Sequence, residues 1–316
     1  MPSTLIVGEV IHTHDLSKYS FVKGGAANHQ WCGGRGLIGG GGPSATDAIQ
    51  YVNIGIVSNA ADFGELAEAK AWLRATSDAS RGVWLGASGT QMDYKNILVV
   101  GGSATDFGDA SGDRDSPGTA SNGSRAAYGG DWPPSNVLDY IEISHPANAV
   151  DFGELSQARG YVSCNSDGTR GVWAYGYSSG ESPDQPNVLD YKNIENVGGT
   201  ATDFGDCSTA GRYHVGNCSD GYRGLYGGGS LPPGASDVID YITISLANGA
   251  NAIDFGNLSQ GRNHLDGTED GQRGLFTGGS PGIATLDYVD IGVLCNAIDF
   301  GDLYEGTTAP GSCSGG

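Results

Sequence analysis

Asp-Phe-Gly occurs six times, beginning at Asp62, Asp106, Asp151, Asp203, Asp254 and Asp299. In a protein kinase that aspartate would hold magnesium, but the chemistry also needs a Gly-rich nucleotide loop, a partner lysine and a His-Arg-Asp segment. None of these is written in the chain, so a sixfold Asp-Phe-Gly reads as architecture. The glycine clusters contain no G-x-x-x-x-G-K-[ST] and read as turns, not phosphate loops. Six histidines (His12, His14, His29, His145, His214, His264) show no H-E-x-x-H or H-x-x-E-H spacing. His12 and His14 share a side of a possible strand but lack a third metal ligand. Asp109, Asp113 and Asp115 have oxygen ligands for calcium without the Gly and Glu of an EF-hand loop, and read as solvated loop acids. No cofactor and no catalytic residue is expected.

Whatever the chain does, its elements must be strands. Glycine makes up 55 of 316 residues, about 17% against a usual share of roughly 7%. A helix interior does not tolerate that load, and the absence of a three-residue glycine period excludes collagen. With 38% hydrophobic residues and 28 aromatics (8 Phe, 5 Trp, 15 Tyr) the chain is too apolar for disorder. The formal net charge of −20 opposes phosphate backbones and anionic lipid, so neither nucleic acid nor membrane is an expected partner. No apolar run approaches the roughly 20 residues of a membrane span, and the first residues do not read as a secretory signal. Six cysteines without C-x-x-C spacing read as free, mostly buried thiols.

Two further residues recur with Asp-Phe-Gly. An arginine precedes a short apolar stretch at Arg35, Arg81, Arg125, Arg170, Arg223 and Arg273, and a tyrosine sits in an extended segment at Tyr51, Tyr94, Tyr140, Tyr191, Tyr241 and Tyr288. The steps from Asp-Phe-Gly to the next arginine are 19, 19, 19, 20 and 19, whereas those from arginine to tyrosine are 16, 13, 15, 21, 18 and 15. Nearly all variation in length sits in one connection, between arginine and tyrosine. One unit reads as four strands, over 160–166, 170–176, 187–194 and 200–206. Six such units at a period of 44 to 53 residues predict an all-β, six-bladed β-propeller with four-stranded blades. Five units carry a base eight or nine residues after the aspartate: Lys70, Arg114, Arg159, Arg212 and Arg262. The repeat arginines and aspartates are expected to be scaffold, bonding a neighbouring blade.

The order of strand, Asp-Gly turn, strand ending in Gly-Gly (GLIGGGG, AAYGG, LYGGG, LFTGG), variable loop, Tyr strand and a later aromatic resembles the Kelch repeat of β-propellers. Phe63, Phe107, Phe152, Phe204, Phe255 and Phe300 stand where Kelch units carry tryptophan, and the glycine pair is degraded in LGASG (85–89) and AYGYSSG (174–180). The wording "NVLDYI-I … NA-DFG-LS--R" more narrowly resembles Kelch-like proteins of tailed phages of marine bacteria. The copper-site residues of galactose-oxidase-like propellers have no counterpart spacing. The resemblance implies a non-enzymatic virion component, made in the host cytoplasm and released by lysis: part of a tail fibre or appendage, or alternatively a capsid decoration or a free lectin-like propeller. The implied partners are other virion proteins, copies of itself, and a host-surface glycan or protein.

The boundaries expected are an N-terminal extension (1–24), the propeller (25–303) with residues 26–66 forming the first blade whole, and a flexible tail (304–316). The variable connections should gather on one face. There Trp132, Tyr175 and Tyr177 are the candidate sugar- or subunit-stacking aromatics, with Asp184 and Ser230 as polar candidates on the same loops and Asp113 and Asp115 nearby.

Overall fold

Strands form where the repeat alternates apolar and polar residues, and within a repeat they pair with their chain neighbours. In the computed structural model, which describes residues 32–86, 89–178, 186–209, 211–247 and 249–316, six antiparallel four-stranded sheets form a six-bladed β-propeller. The fourth blade shows the pattern: Ser163–Ser166 innermost, then Arg170–Ala174, Leu189–Asn193 and Thr202–Gly205 outermost. Each innermost strand contacts those of the two adjacent blades, so the six form a ring around the axis.

Ring closure departs from the expected phase. The innermost strand of the first blade is Gly311–Gly315, which pairs with Arg35–Gly39 and comes from the opposite end of the chain. The tail is therefore a buried strand rather than a flexible end, and residues within 26–66 supply only the outer three strands of that blade. Gly-Ser-Cys-Ser looks unfit to pack, yet innermost strands are made of such residues: GTAS (118–121), SCNS (163–166) and GNCS (216–219). Crowding near the axis explains this. A Cβ on Gly267 would lie 2.1 Å from the Asn217 carbonyl oxygen of the neighbouring strand.

Serine hydroxyls stitch that ring. Ser77 donates to the Ser314 carbonyl (2.6 Å), Ser121 to Ser77 (3.1 Å), Ser166 to Ser121 (2.7 Å) and Ser219 to Ser166 (3.0 Å). Glu269 holds the sixth equivalent position.

The repeated residues sort into two kinds of contact between blades. Each repeat arginine donates through Nη1 to an isoleucine carbonyl of the next blade, at 2.6–3.3 Å, from Arg35 to Ile97 through to Arg273 to Ile54. The same guanidinium lies over its own blade's tyrosine ring, at 4.4–5.4 Å, and that tyrosine meets the Asp-Phe-Gly phenylalanine edge-on. The phenylalanine is buried in a cluster shared with the following blade, as Phe204 is with Val215, Ile242 and Ile244. The glycine of the tripeptide takes φ of 124–151° at a bulge in the outer strand. A Cβ at Gly153 would reach within 2.3 Å of Gly199 O of the next blade.

The tripeptide aspartates have a local task. Asp62, Asp106, Asp151, Asp203 and Asp299 accept the backbone N–H of the glycine two residues on, at 2.9–3.1 Å, and are exposed. The bases eight or nine residues later pair instead with the aspartate before the next blade's tyrosine. These pairs are Lys70–Asp93 (2.9 Å), Arg114–Asp139 (2.5 Å), Arg159–Asp190 (2.7 Å), Arg212–Asp240 and Arg262–Asp287 (3.0 Å), buried throughout except for the partly exposed Lys70. At the sixth interface both charges are absent. Thr307 stands at the base position and Gln50 at the aspartate position, and the Gln50 amide bonds the backbone of Tyr304 and Glu305.

Two predictions follow from these contacts. Asp190→Ala strands a buried guanidinium and should cost about 3–5 kcal/mol, whereas Asp151→Ala removes one exposed bond and should cost less than about 1 kcal/mol. Urea titrations of both variants check this, and the reverse order would return the structural weight to the tripeptide. Removal of residues 311–316 should abolish the cooperative thermal transition, and an unchanged melt by circular dichroism would make that strand dispensable.

Candidate functional site

Where each outer strand crosses to the next innermost strand, the chain passes through a left-handed turn. The residues there are Trp72, Ser116, Tyr161, His214, His264 and Ala309, with φ between 47° and 64°. None is glycine, although a left-handed conformation favours it. Five backbone bonds help fix this ring: Ser116 N to Trp72 O, His214 N to Tyr161 O, His264 N to His214 O, Ala309 N to His264 O and Leu73 N to Ala309 O. The backbone repeats while the side chains differ, the two adjacent histidines apart.

Four of those side chains converge on the axis. His214 stacks on His264 (3.6 Å between ring centroids) and packs at 3.9 Å from Tyr161, while Trp72 meets His264 at 5.0 Å and His214 at 5.8 Å. The aromatic cluster continues outward onto the variable loops. Trp132 stacks on Tyr161 (5.5 Å, 16°) and meets the edge of Tyr177 (5.3 Å), and Tyr177 meets Tyr213 at 5.6 Å. Trp132 keeps 40% of its surface exposed. Beyond Tyr213 opens a cleft of about 410 Å³ lined by Ser230, Pro232, Pro233, Gly234, Ala235, Asn263 and Ser280. One wall is the small hairpin of Ser230–Leu231 and Gly234–Ala235.

The site is acidic on its third-blade side. Asp131 Oδ1 accepts the backbone N–H of Asp115 (3.0 Å) and of Trp132. Burial, then repulsion from Asp131 and Asp113, holds the Asp115 carboxyl above its ordinary range. Burial, then the nearby Asp115 charge, pushes the Tyr161 phenol up to about 12. Arg114, the base next to Asp115, is committed to Asp139.

Under the aromatic rings lies Arg74, 3.7 Å from Asp266 and 2% exposed. Burial and then this guanidinium hold His264 down to about 4; burial, His264 and Arg74 hold His214 well below its usual value. Both imidazoles are neutral at pH 7. Farther down, the narrow channel is lined by small polar residues of all six blades and by Glu269, whose carboxyl is raised to about 8 by burial.

Of the residues singled out in the sequence, Trp132 and Tyr177 belong to the aromatic cluster. Ser230 stands in the cleft wall, buried and accepting from Asn263 Nδ2 (2.9 Å). Tyr175 does not face a ligand: it is fully buried, and its hydroxyl donates to Asp240 (2.5 Å) beside Arg212. The reason is positional. Tyr175 takes the left-handed place that Gly40, Gly86, Gly130, Gly228 and Gly278 hold in the other blades. Asp184 lies outside the described residues. Trp72, Tyr161, Tyr213, His214 and His264 carry no residue-type repeat, and only their place, nine residues before a repeat arginine for the four that are also in the left-handed ring, could have marked them.

The opposite face is different. Ile56, Val57, Leu98, Val99, Val100, Val197, Leu246, Val293 and Leu294, from the turns between the third and outer strands of five blades, are 42–60% exposed. No protein-family model matches the chain, and no curated protein matches it significantly.

The buried acid of the channel gives a pH prediction. A carboxyl raised in the fold contributes stability that is full below its ordinary value and lost as pH rises through about 8. Glu269→Gln should therefore melt several degrees above the parent at about pH 9 and show a smaller gain at about pH 5. A gain that grows toward acid would show that Glu269 is ionised in the native channel.

Proposed function

We propose that this propeller is a non-enzymatic binding module that recognises a host-surface glycan through the face of the variable loops. The observation that carries the reading is the run of stacked rings from Trp132 through Tyr161, Tyr177 and Tyr213 to a polar cleft at Ser230, Asn263 and Ser280. Half-exposed aromatics with hydroxyls and amides beside them suit a sugar, whose C–H faces stack and whose hydroxyls bond. Holding Tyr161 in a left-handed turn over a rigid frame preorganises it, which lowers the entropy cost of binding. The resemblance to Kelch-like phage proteins supplies the setting, a tail fibre or appendage of the virion.

A second reading, seating on another subunit of such a particle, is favoured by the apolar turns of the opposite face, since exposed apolar patches mark protein contacts. The two readings use opposite faces, so one protein serves both.

The prediction separates them. Trp132→Ala with Tyr177→Ala should leave the thermal melt within a few degrees of the parent and lower binding to host cells by at least about tenfold. Val99→Asp with Val293→Asp should leave cell binding intact and reduce incorporation into particles. Unchanged cell binding by the aromatic variant would remove the glycan reading.

A further inference from the structure

The aromatic face is short of positive charge at the one place where it is richest in unfilled acceptors. Asp115 is half-buried, its backbone N–H is held by Asp131, and no donor reaches its carboxylate among the described residues. Asp131 Oδ1 is taken by two backbone N–H groups, while Asp113 is exposed beside them. Two buried polar atoms of the same neighbourhood also lack partners among the described residues. These are Ser116 Oγ, next to Asp115 and fully buried, and His214 Nδ1, on a ring 96% buried and 3.9 Å from Tyr161. The base next to Asp115, Arg114, is spent on Asp139, and Arg74, under the histidine rings, lies against Asp266. The stacked pair Trp132–Tyr161 and the edge of Tyr177 complete the arrangement.

We propose that the ligand carries a positively charged nitrogen, a free amine on an amino sugar, which sits against Trp132 and Tyr161 with Asp115 and Asp131 as its counter-ions. An indole face attracts a cation through its quadrupole, and a half-shielded carboxylate beside it strengthens the attraction. Burial, then repulsion from Asp131 and Asp113, keeps the Asp115 carboxyl reluctant to ionise, and that repulsion is relieved when an ammonium group arrives. An acidic glycan meets the same carboxylates and is repelled, as the net charge of −20 also dictates. This inference rests on the glycan reading and adds the class of sugar.

The test is calorimetric titration with a glucosamine disaccharide and with its N-acetylated counterpart, a pair that differs only in the acetyl groups that remove the amine charge. The measurement is made at about pH 6, below the ordinary amine range, and at about 0.15 M salt to screen the distant field. The free amine should bind at least about tenfold more tightly. Asp115→Asn, checked for a native melt, should remove the preference. Asp113→Asn, which alters an exposed side chain, should halve it or more, and Asp254→Asn, exposed and far around the ring, should leave it intact. Equal or tighter binding of the acetylated sugar, with loss in Trp132→Ala, would overturn the amine while keeping the glycan site. A preference that survives Asp115→Asn would overturn it equally. Binding of neither sugar would overturn the proposal together with the reading on which it stands.

Discussion

A base on each outer strand must find an aspartate on the next blade, and the chain writes both partners or neither. Five interfaces hold such a pair, and the sixth has Thr307 and Gln50 at the two equivalent positions. A lone buried carboxylate or guanidinium would carry its full desolvation penalty, so one partner cannot be lost without the other. The neutral interface is the one closed by the chain's far end, where the loop through Tyr304 and Glu305 supplies backbone groups to the Gln50 amide. Electrostatics thus marks where the ring is sealed.

Given that seal, the remaining repeats divide the work by radius. Serine-to-carbonyl bonds hold the innermost strands, arginine-to-carbonyl bonds and tyrosine–phenylalanine pairs hold the outer ones, and the apolar clusters lie between blades. A frame satisfied six times over tolerates five different residue types at one strained backbone position. The non-glycine left-handed residues exploit this. Each has unfavourable backbone geometry, and together they aim Trp72, Tyr161, His214 and His264 at one point on the axis. Sixfold backbone symmetry with broken side-chain symmetry is what a ring needs in order to present a single site.

Legibility in the sequence followed the same division. The Arg, Tyr and Asp-Phe-Gly signals were readable because each serves a contact made at every interface, and they fixed the blade count and the variable face. Gly311–Gly315 was not readable as a strand, since its fitness lies in being small beside its neighbours, a property that local propensity scores as a flexible end. Tyr175 was misplaced because a run such as AYGYSSG shows an aromatic in a loop but not that the residue has taken a glycine's place at the base of it. The aromatic cluster was legible through Trp132 and Tyr177, which sit in length-variable segments. Its centre was hidden, because Trp, Ser, Tyr, His, His and Ala share a conformation without sharing a chemistry.

Charge accounting carries the argument from scaffold to surface. All 14 bases of the described residues have structural partners. Six bond the next blade's carbonyls, five pair with buried aspartates, Arg74 lies against Asp266, and Lys95 and Lys192 bond glycine carbonyls in their own turns. The acids outnumber the bases by 36 to 16, and only a minority of them are buried partners. The field outside the protein is therefore more one-sided than the net charge suggests, because the positive charges sit inside it. Such a field raises the encounter rate of cations and lowers that of anions before any contact is made. Under the proposed glycan reading, the aromatic cluster then discriminates among what arrives by stacking and desolvation, at a place where the guanidinium of Arg114 is already held by Asp139.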